Sequence, residues 1–163
     1  MEKDFVEMIN ANRGIIYKVC NLYCYEKEDK KDLFQEIIFH LWKAYPNFRK
    51  ESLVTSWMYR VSLNIAITNL RRVSFQPNKR SISDEEFQIP DLSFSRNENE
   101  SSNMLNRAIE KLSEIEKAII LLYLEEKNYA EISEILGISN SNVGVRINRI
   151  KIKLEKIIKS DKS

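Results

Sequence analysis

The feature that most limits what this chain can fold into is the spacing of its apolar residues, which recur three and four positions apart and almost nowhere alternate. Residues at that spacing share one face of an α-helix, whereas strict alternation marks a half-buried strand. Only three glycines and three prolines interrupt the 163 residues, so helices can run long. The chain is therefore read as all-α. Phe5, Ile9, Ile15, Ile16, Val19 and Leu22 mark one or two amphipathic segments, with a break expected near Gly14. Asp29-Lys-Lys-Asp32 opens a strongly apolar helix through Leu33, Phe34, Ile37, Ile38, Leu41 and Trp42, which ends before Pro46. Aspartate at such a start accepts free backbone N–H groups and complements the helix dipole. After a polar turn, a third helix is expected from Trp57 to Arg72, with Trp57, Val61, Ile65 and Leu70 spaced for burial.

From Ser74 to about Ser102 the periodicity stops. Pro77, Pro90 and the polar run from Ser93 to Ser102 make this stretch acidic and non-helical, the composition of a linker. Phe75, Phe87 and Phe94 within it are residues with which it could dock. Two small helical domains joined by a flexible linker follow: residues 1–75, the acidic linker 76–103, and residues 104–163.

In the second domain Leu105, Ile109 and Leu112 form a short apolar stripe. Ser113-Glu-Ile-Glu116 then matches a capping box, with a hydroxyl at the N-cap and a carboxylate three residues later. Asn128-Tyr-Ala-Glu131 repeats the logic for a helix from Tyr129 to Leu136. Gly137 follows, suited to a turn because glycine reaches positive φ without a Cβ clash. Ile138 plugs the corner, and Ser139 or Ser141 caps one more helix. Val143, Ile147, Ile150 and Leu154 form its inward stripe, all within roughly 40° of Val143 at 100° per residue. Val145, Asn148, Arg149 and Ile152 point the other way, flanked by Arg146 and Lys153. This is the pattern of a helix-turn-helix, whose second helix enters the DNA major groove. Arg146, Asn148 and Arg149 can reach base edges or phosphates. Val145 gains nothing in water but could meet a thymine methyl. An ordinary helical hairpin shares the basic surface; two caps, the glycine turn and the outer face together favour helix-turn-helix.

Charge and composition exclude other classes. The net charge is only +2, but Val143 to Lys159 carries six basic residues against Glu155 alone, a stripe that could face phosphate or simply solvent. Hydrophobic residues make up 43% and charged residues 31%, the balance of a folded soluble chain. No stretch approaches the roughly 18 apolar residues that span a bilayer, and no signal peptide opens the chain, so a cytoplasmic location is expected. Cys20 and Cys24, four apart on a helix, have poor disulfide geometry and are read as buried or half-buried thiols. With a single histidine, no phosphate-binding glycine loop and no ligand spacing, neither catalysis, cofactor nor metal is expected.

Taken together, Leu112 to Ile158 resembles the promoter-binding region four of RNA polymerase sigma factors of the extracytoplasmic-function type. Asp32-Leu-Phe-Gln-Glu-Ile-Ile-Phe-His-Leu-Trp42 resembles the polymerase-binding helix of their region two. Ser56 to Arg72 is similar to the segment after it that melts and reads the minus-ten element. The matches stand in the family's order, with no recognisable region three between them. The resemblance implies core RNA polymerase and promoter DNA as partners, often with an anti-sigma factor. It also implies that Asp32, Gln35 and Glu36 contact the clamp helices of the largest polymerase subunit. Arg60, Asn64, Arg71 and Arg72 would face the minus-ten element, while Trp57 is either a platform for opened bases or, the favoured reading, a buried anchor. The loop Lys50 to Thr55 corresponds to the segment that captures a flipped base. Ser139, Ser141, Asn142, Val145, Arg146, Asn148, Arg149 and Lys153 would meet the minus-thirty-five element. Gly144 departs from the family's usual lysine or arginine, Val145 from a small hydroxyl residue and Asn142 from threonine. The alternative is a stand-alone helix-turn-helix regulator with a helical sensory domain, which leaves the region-two segments unexplained.

Overall fold

Helical spacing becomes eight α-helices and no strand among the residues that the computed structural model describes, 1–48, 50, 53–73 and 100–162. They form two units, described separately. The first contains α1 (Glu2–Ala11), α2 (Arg13–Tyr23), α3 (Lys27–Ala44), a 3₁₀ turn (Tyr45–Asn47) and α4 (Val54–Val73). The break between α1 and α2 falls at Asn12, two residues before Gly14, where φ of −128° takes the chain out of helix. Asn12 donates its side-chain amide to the Met8 carbonyl at 2.9 Å, a local bond that competes with helix continuation. α3 starts at Lys27, earlier than Asp29, with Glu28 and Asp29 in its first turn.

The core of this unit is built by α2, α3 and α4, each packed on the other two. Ile16, Val19, Ile37, Leu41, Met58 and Leu63 are almost wholly buried within it. The buried side of α4 is not the one that apolar spacing suggests. Val61, Ile65 and Leu70 are only half-buried, whereas Met58, Ser62, Ala66 and Asn69 face inward. Serine, alanine and asparagine are small enough for α2 and α3 to approach closely, so packing selects them over the larger branched residues. Trp57 is buried, the favoured of its two readings, at 8% exposure, because the chain after α3 covers it: Phe48 stacks on its ring at 4.6 Å and Tyr45 tilts against it at 6.5 Å. Phe5 of α1 extends the cluster, edge-on to Trp42 and Tyr45.

The second unit contains α5 (Glu100–Glu110), α6 (Glu114–Leu124), α7 (Tyr129–Leu136) and α8 (Asn140–Lys162). Both expected capping boxes are present. Ser113 Oγ accepts the Glu116 N–H at 3.3 Å and Asn128 Oδ1 accepts the Glu131 N–H at 2.8 Å, and each glutamate carboxylate accepts the N-cap N–H in return. Gly137 takes φ of +71° and ends α7 in the left-handed region that glycine enters freely. α8 packs against α5, α6 and α7 and buries Val143, Ile147, Ile150 and Leu154 among them.

The expected linker lies, up to residue 99, outside the described residues, as do Phe75, Phe87 and Phe94. Of the Lys50–Thr55 loop, residues 51 and 52 lie outside them too. No helix among the described residues is long and apolar enough to cross a membrane. Cys20 is fully buried and Cys24 half-buried. Burial and the neighbouring Cys24 push the Cys20 thiol far up, so it stays protonated.

Candidate nucleic-acid interface

The local chemistry of residues 128–154 fixes how α8 is presented. After Gly137 reverses the chain, Ser133 Oγ donates to the Ile138 carbonyl and braces the turn. Ser139, not Ser141, caps α8: its hydroxyl accepts the Asn142 N–H at 3.2 Å and lies 3.3 Å from the Ser141 hydroxyl. The buried stripe then fixes the rotation of the helix, and the opposite side is left in solvent. Val145 is 46% exposed and Ile152 54%, with Asn148 and Arg149 exposed between them. Two branched apolar side chains and two polar ones thus share one unpartnered face, a mixture that suits base edges and methyl groups better than water.

The flanks of that face are less free than spacing implied. Arg146 is half-buried and its Nε donates to Asn142 Oδ1 at 3.3 Å, so the two side chains are held together. Lys153 lies 2.8 Å from Glu116, the carboxylate of the α6 capping box. Burial pushes the Glu116 carboxyl up, but hydrogen bonds from Lys153 and Ser113 outweigh it and hold the group below its ordinary 4.5. Lys153 therefore stitches α8 to the start of α6. On the other flank the Lys151 ammonium lies 4.5 Å from the Tyr123 ring centre, and a hydrogen bond to that tyrosine raises its pKa. Spacing singled out neither Lys151 nor Tyr123, because their pairing joins two helices. Gly144 has a structural counterpart as well: a Cβ there would stand 3.3 Å from the Tyr129 ring.

In the first unit, Arg60, Asn64 and Arg71 are exposed along α4. Spacings of four and seven residues put them on one stripe. The side chain of Arg72 lies outside the described residues. Trp57 does not join this stripe as a stacking platform, since Phe48 already covers its face. On α3, Asp32 is half-buried and Gln35 exposed. Glu36 accepts the Asn69 amide at 2.6 Å and lies 3.9 Å from His40, so it also links α3 to α4. Phe39, 56% exposed, continues this face at seven residues from Asp32, with the Lys43 ammonium 5.4 Å from its ring centre. Its register with Asp32 could have marked it in the sequence.

Comparison with known proteins matches both units. Residues 8–75 match the family model of sigma-70 region 2, and residues 102–154 match that of sigma-70, region 4. The chain is similar to the RNA polymerase sigma factor SigV of Bacillus subtilis, 27% identical over 160 residues, covering 97% of this chain and 93% of that one. It is similar to the ECF RNA polymerase sigma factor SigM of Mycobacterium tuberculosis, 20% identical over 160 residues and covering 94% and 76%. Among solved structures, the fold resembles the sigma factor RpoE co-crystallised with the anti-sigma factor NepR from Bartonella quintana. The TM-score there is 0.59 at 20% identity, over 98% of this chain and 97% of that one.

Proposed function

We propose how this chain, which belongs to the sigma-70 family as a factor of the extracytoplasmic-function type, divides promoter recognition between its two units. The chain binds core RNA polymerase and promoter DNA and directs transcription initiation. In the proposal, α3 docks on the polymerase clamp through Asp32, Gln35 and Glu36. α4 lies along the minus-ten element, with Arg60, Arg71 and Arg72 on its phosphates and Asn64 beside them. α8 enters the minus-thirty-five major groove, where Val145, Asn148 and Arg149 meet base edges. Ser139, Ser141, Asn142, Arg146 and Lys153 line the approach to the backbone, and Lys153 exchanges its Glu116 partner for phosphate. The domain limits proposed for this division are residues 1–75 and 104–163, with 76–103 as the linker.

The observation that carries the reading is the outward face of α8, where Val145, Asn148, Arg149 and Ile152 stand exposed opposite a fully buried stripe. The chain itself performs no catalysis in this proposal and works in the cytoplasm, beside polymerase. An anti-sigma factor is its proposed regulator; RpoE, of similar fold, was crystallised with one. The test adds the purified chain to core polymerase and reads promoter-specific transcripts. Arg149→Ala is expected to lose discrimination among minus-thirty-five sequences, at about 1–3 kcal/mol for one lost bidentate base contact. A chain that binds DNA tightly alone, yet neither joins core nor starts transcripts, would instead be a stand-alone regulator.

A further inference from the structure

In the first unit the end of α2, the entry into α3 and the last turns of α4 enclose a cavity of about 280 Å³. α2 contributes Tyr23, the entry into α3 contributes Glu26, Asp29 and Leu33, and α4 contributes Ala66 and Asn69. The floor is apolar, since Tyr23, Leu33 and Ala66 are almost wholly buried. Glu26 and Asp29 are exposed and put two carboxylates at the mouth, and no basic residue lines the cavity. Glu26 stands at the N-cap of α3, where a side-chain oxygen commonly accepts a free backbone N–H, yet its carboxylate accepts none. Neither Glu26 nor Asp29 enters an ion pair or a side-chain hydrogen bond among the described residues. Asn69, 8% exposed, adds a third polar group. Its amide donates to Glu36 at 2.6 Å, which leaves its carbonyl oxygen as an acceptor.

The backbone adds charge of the same sign. α2 ends at the cavity with no basic residue in its last turn, so nothing in that helix offsets the negative end of its dipole, about half an elementary charge. The start of α3 acts the other way, but Glu28 and Asp29 in its first turn counter it. Lys30 is near enough to act on the Cys20 thiol, yet it does not line the cavity. An apolar floor below a rim of carboxylates repels anions and suits an occupant with an apolar body and one positive end. The volume lies near the lower edge for ligand pockets, so that body is small. We propose that this cavity binds a small organic cation, a primary ammonium carried on an aromatic or branched aliphatic body. The body packs on Tyr23, Leu33 and Ala66, and the ammonium donates to Glu26, Asp29 and the Asn69 carbonyl. A free amino acid is rejected, because its own carboxylate would meet the two at the mouth. The site uses the buried side of α4 rather than its exposed arginines, and it does not rest on how α4 or α8 meets DNA.

The test titrates the full chain with phenethylammonium and follows its backbone amides by nuclear magnetic resonance. Saturable shifts are expected at Tyr25, Glu26, Asp29 and Asn69, with a dissociation constant of about 10 mM or tighter for a ligand of this size. Two further probes separate the parts of the site. Phenethyl alcohol keeps the body without the charge, methylammonium keeps the charge without the body, and each should bind at least about tenfold more weakly. Glu26→Gln and Asp29→Asn, both at exposed positions, should each weaken phenethylammonium about two- to fivefold, as partly exposed ion pairs do. Added salt should weaken binding to the parent but not to the variant carrying both changes. Equal binding of phenethyl alcohol, shifts that do not centre on these residues, or unchanged affinity in the double variant overturns the proposal. If phenethylammonium leaves these amides unmoved while the double variant binds core polymerase more weakly, the cavity belongs to a protein interface and the proposal fails.

Discussion

Ser113 and Asn128, at the starts of α6 and α7, each accept a backbone N–H and receive a carboxylate in return, whereas Met1, Asn12 and Glu26, at the starts of α1, α2 and α3, accept none through their side chains. The first unit compensates with rings. Phe5, Trp42, Tyr45, Phe48 and Trp57 join α1, α3, the 3₁₀ turn and α4 across many residues of sequence. One unit thus defines its helix ends by bonds three residues apart, the other by packing between distant segments. The difference fits the tasks proposed for them. A recognition helix must be held at one rotation with its outer face bare, which short-range caps and a glycine turn achieve without covering it. A surface that docks on polymerase and holds an opened strand needs several helices fixed against one another, which only a shared core provides.

The comparison can be broken in three places. The largest expected effect is in the first unit: Trp57→Ala should cost about 3–5 kcal/mol of that unit's stability, as a large buried ring leaves a cavity between the 3₁₀ turn and α4. Urea unfolding followed by circular dichroism measures it; a loss under 1 kcal/mol would show that the aromatic cluster does not hold the unit together. A smaller effect is expected from a cap. Asn128→Ala should cost about 1 kcal/mol in the second unit, the usual worth of an N-cap side chain, and should loosen α7 relative to α8. Hydrogen exchange at the Tyr129–Glu131 amides reads this directly, and protection equal to the parent's would remove the local-cap account.

The smallest effect is electrostatic. Hydrogen bonds from Lys153 and Ser113 hold Glu116 below its ordinary 4.5. A carboxylate whose folded pKa is lowered stabilises the fold fully above its unfolded pKa, and that contribution is lost as pH falls from about 4.5 through the lower folded value. Glu116→Gln keeps a side chain able to complete the capping box but removes the charge. Below pH 4.5 its melting temperature should therefore fall less steeply than the parent's, while at pH 7 its unfolding free energy should be lower by under about 1 kcal/mol, since the pair is partly exposed. Parallel profiles from pH 3 to 7 would show that the Lys153–Glu116 pair contributes nothing.

Much of this molecule was legible in the sequence where the determining interactions are local. The capping boxes at Ser113 and Asn128, the turn at Gly137 and the inward stripe of α8 each depend on residues within one or two helical turns, so their spacing alone specifies them. The two family regions were legible for the same reason, as ordered runs of neighbouring residues. Tertiary structure decided the rest. Val61 and Ile65 look like core by spacing, yet α4 buries Ser62, Ala66 and Asn69, because close approach of α2 and α3 favours small side chains over hydrophobic ones. Trp57 could be an exposed platform or an anchor until Phe48, nine residues away and outside its helix, closed over it. Lys153 could be free for phosphate until Glu116 was found beside it, 37 residues earlier in the chain. Gly144 seemed to be only a missing positive charge; the structure sets Tyr129 against it. Helix starts and rotations follow from neighbours in sequence, whereas which face is covered, and which charge is already paired, depends on neighbours in space.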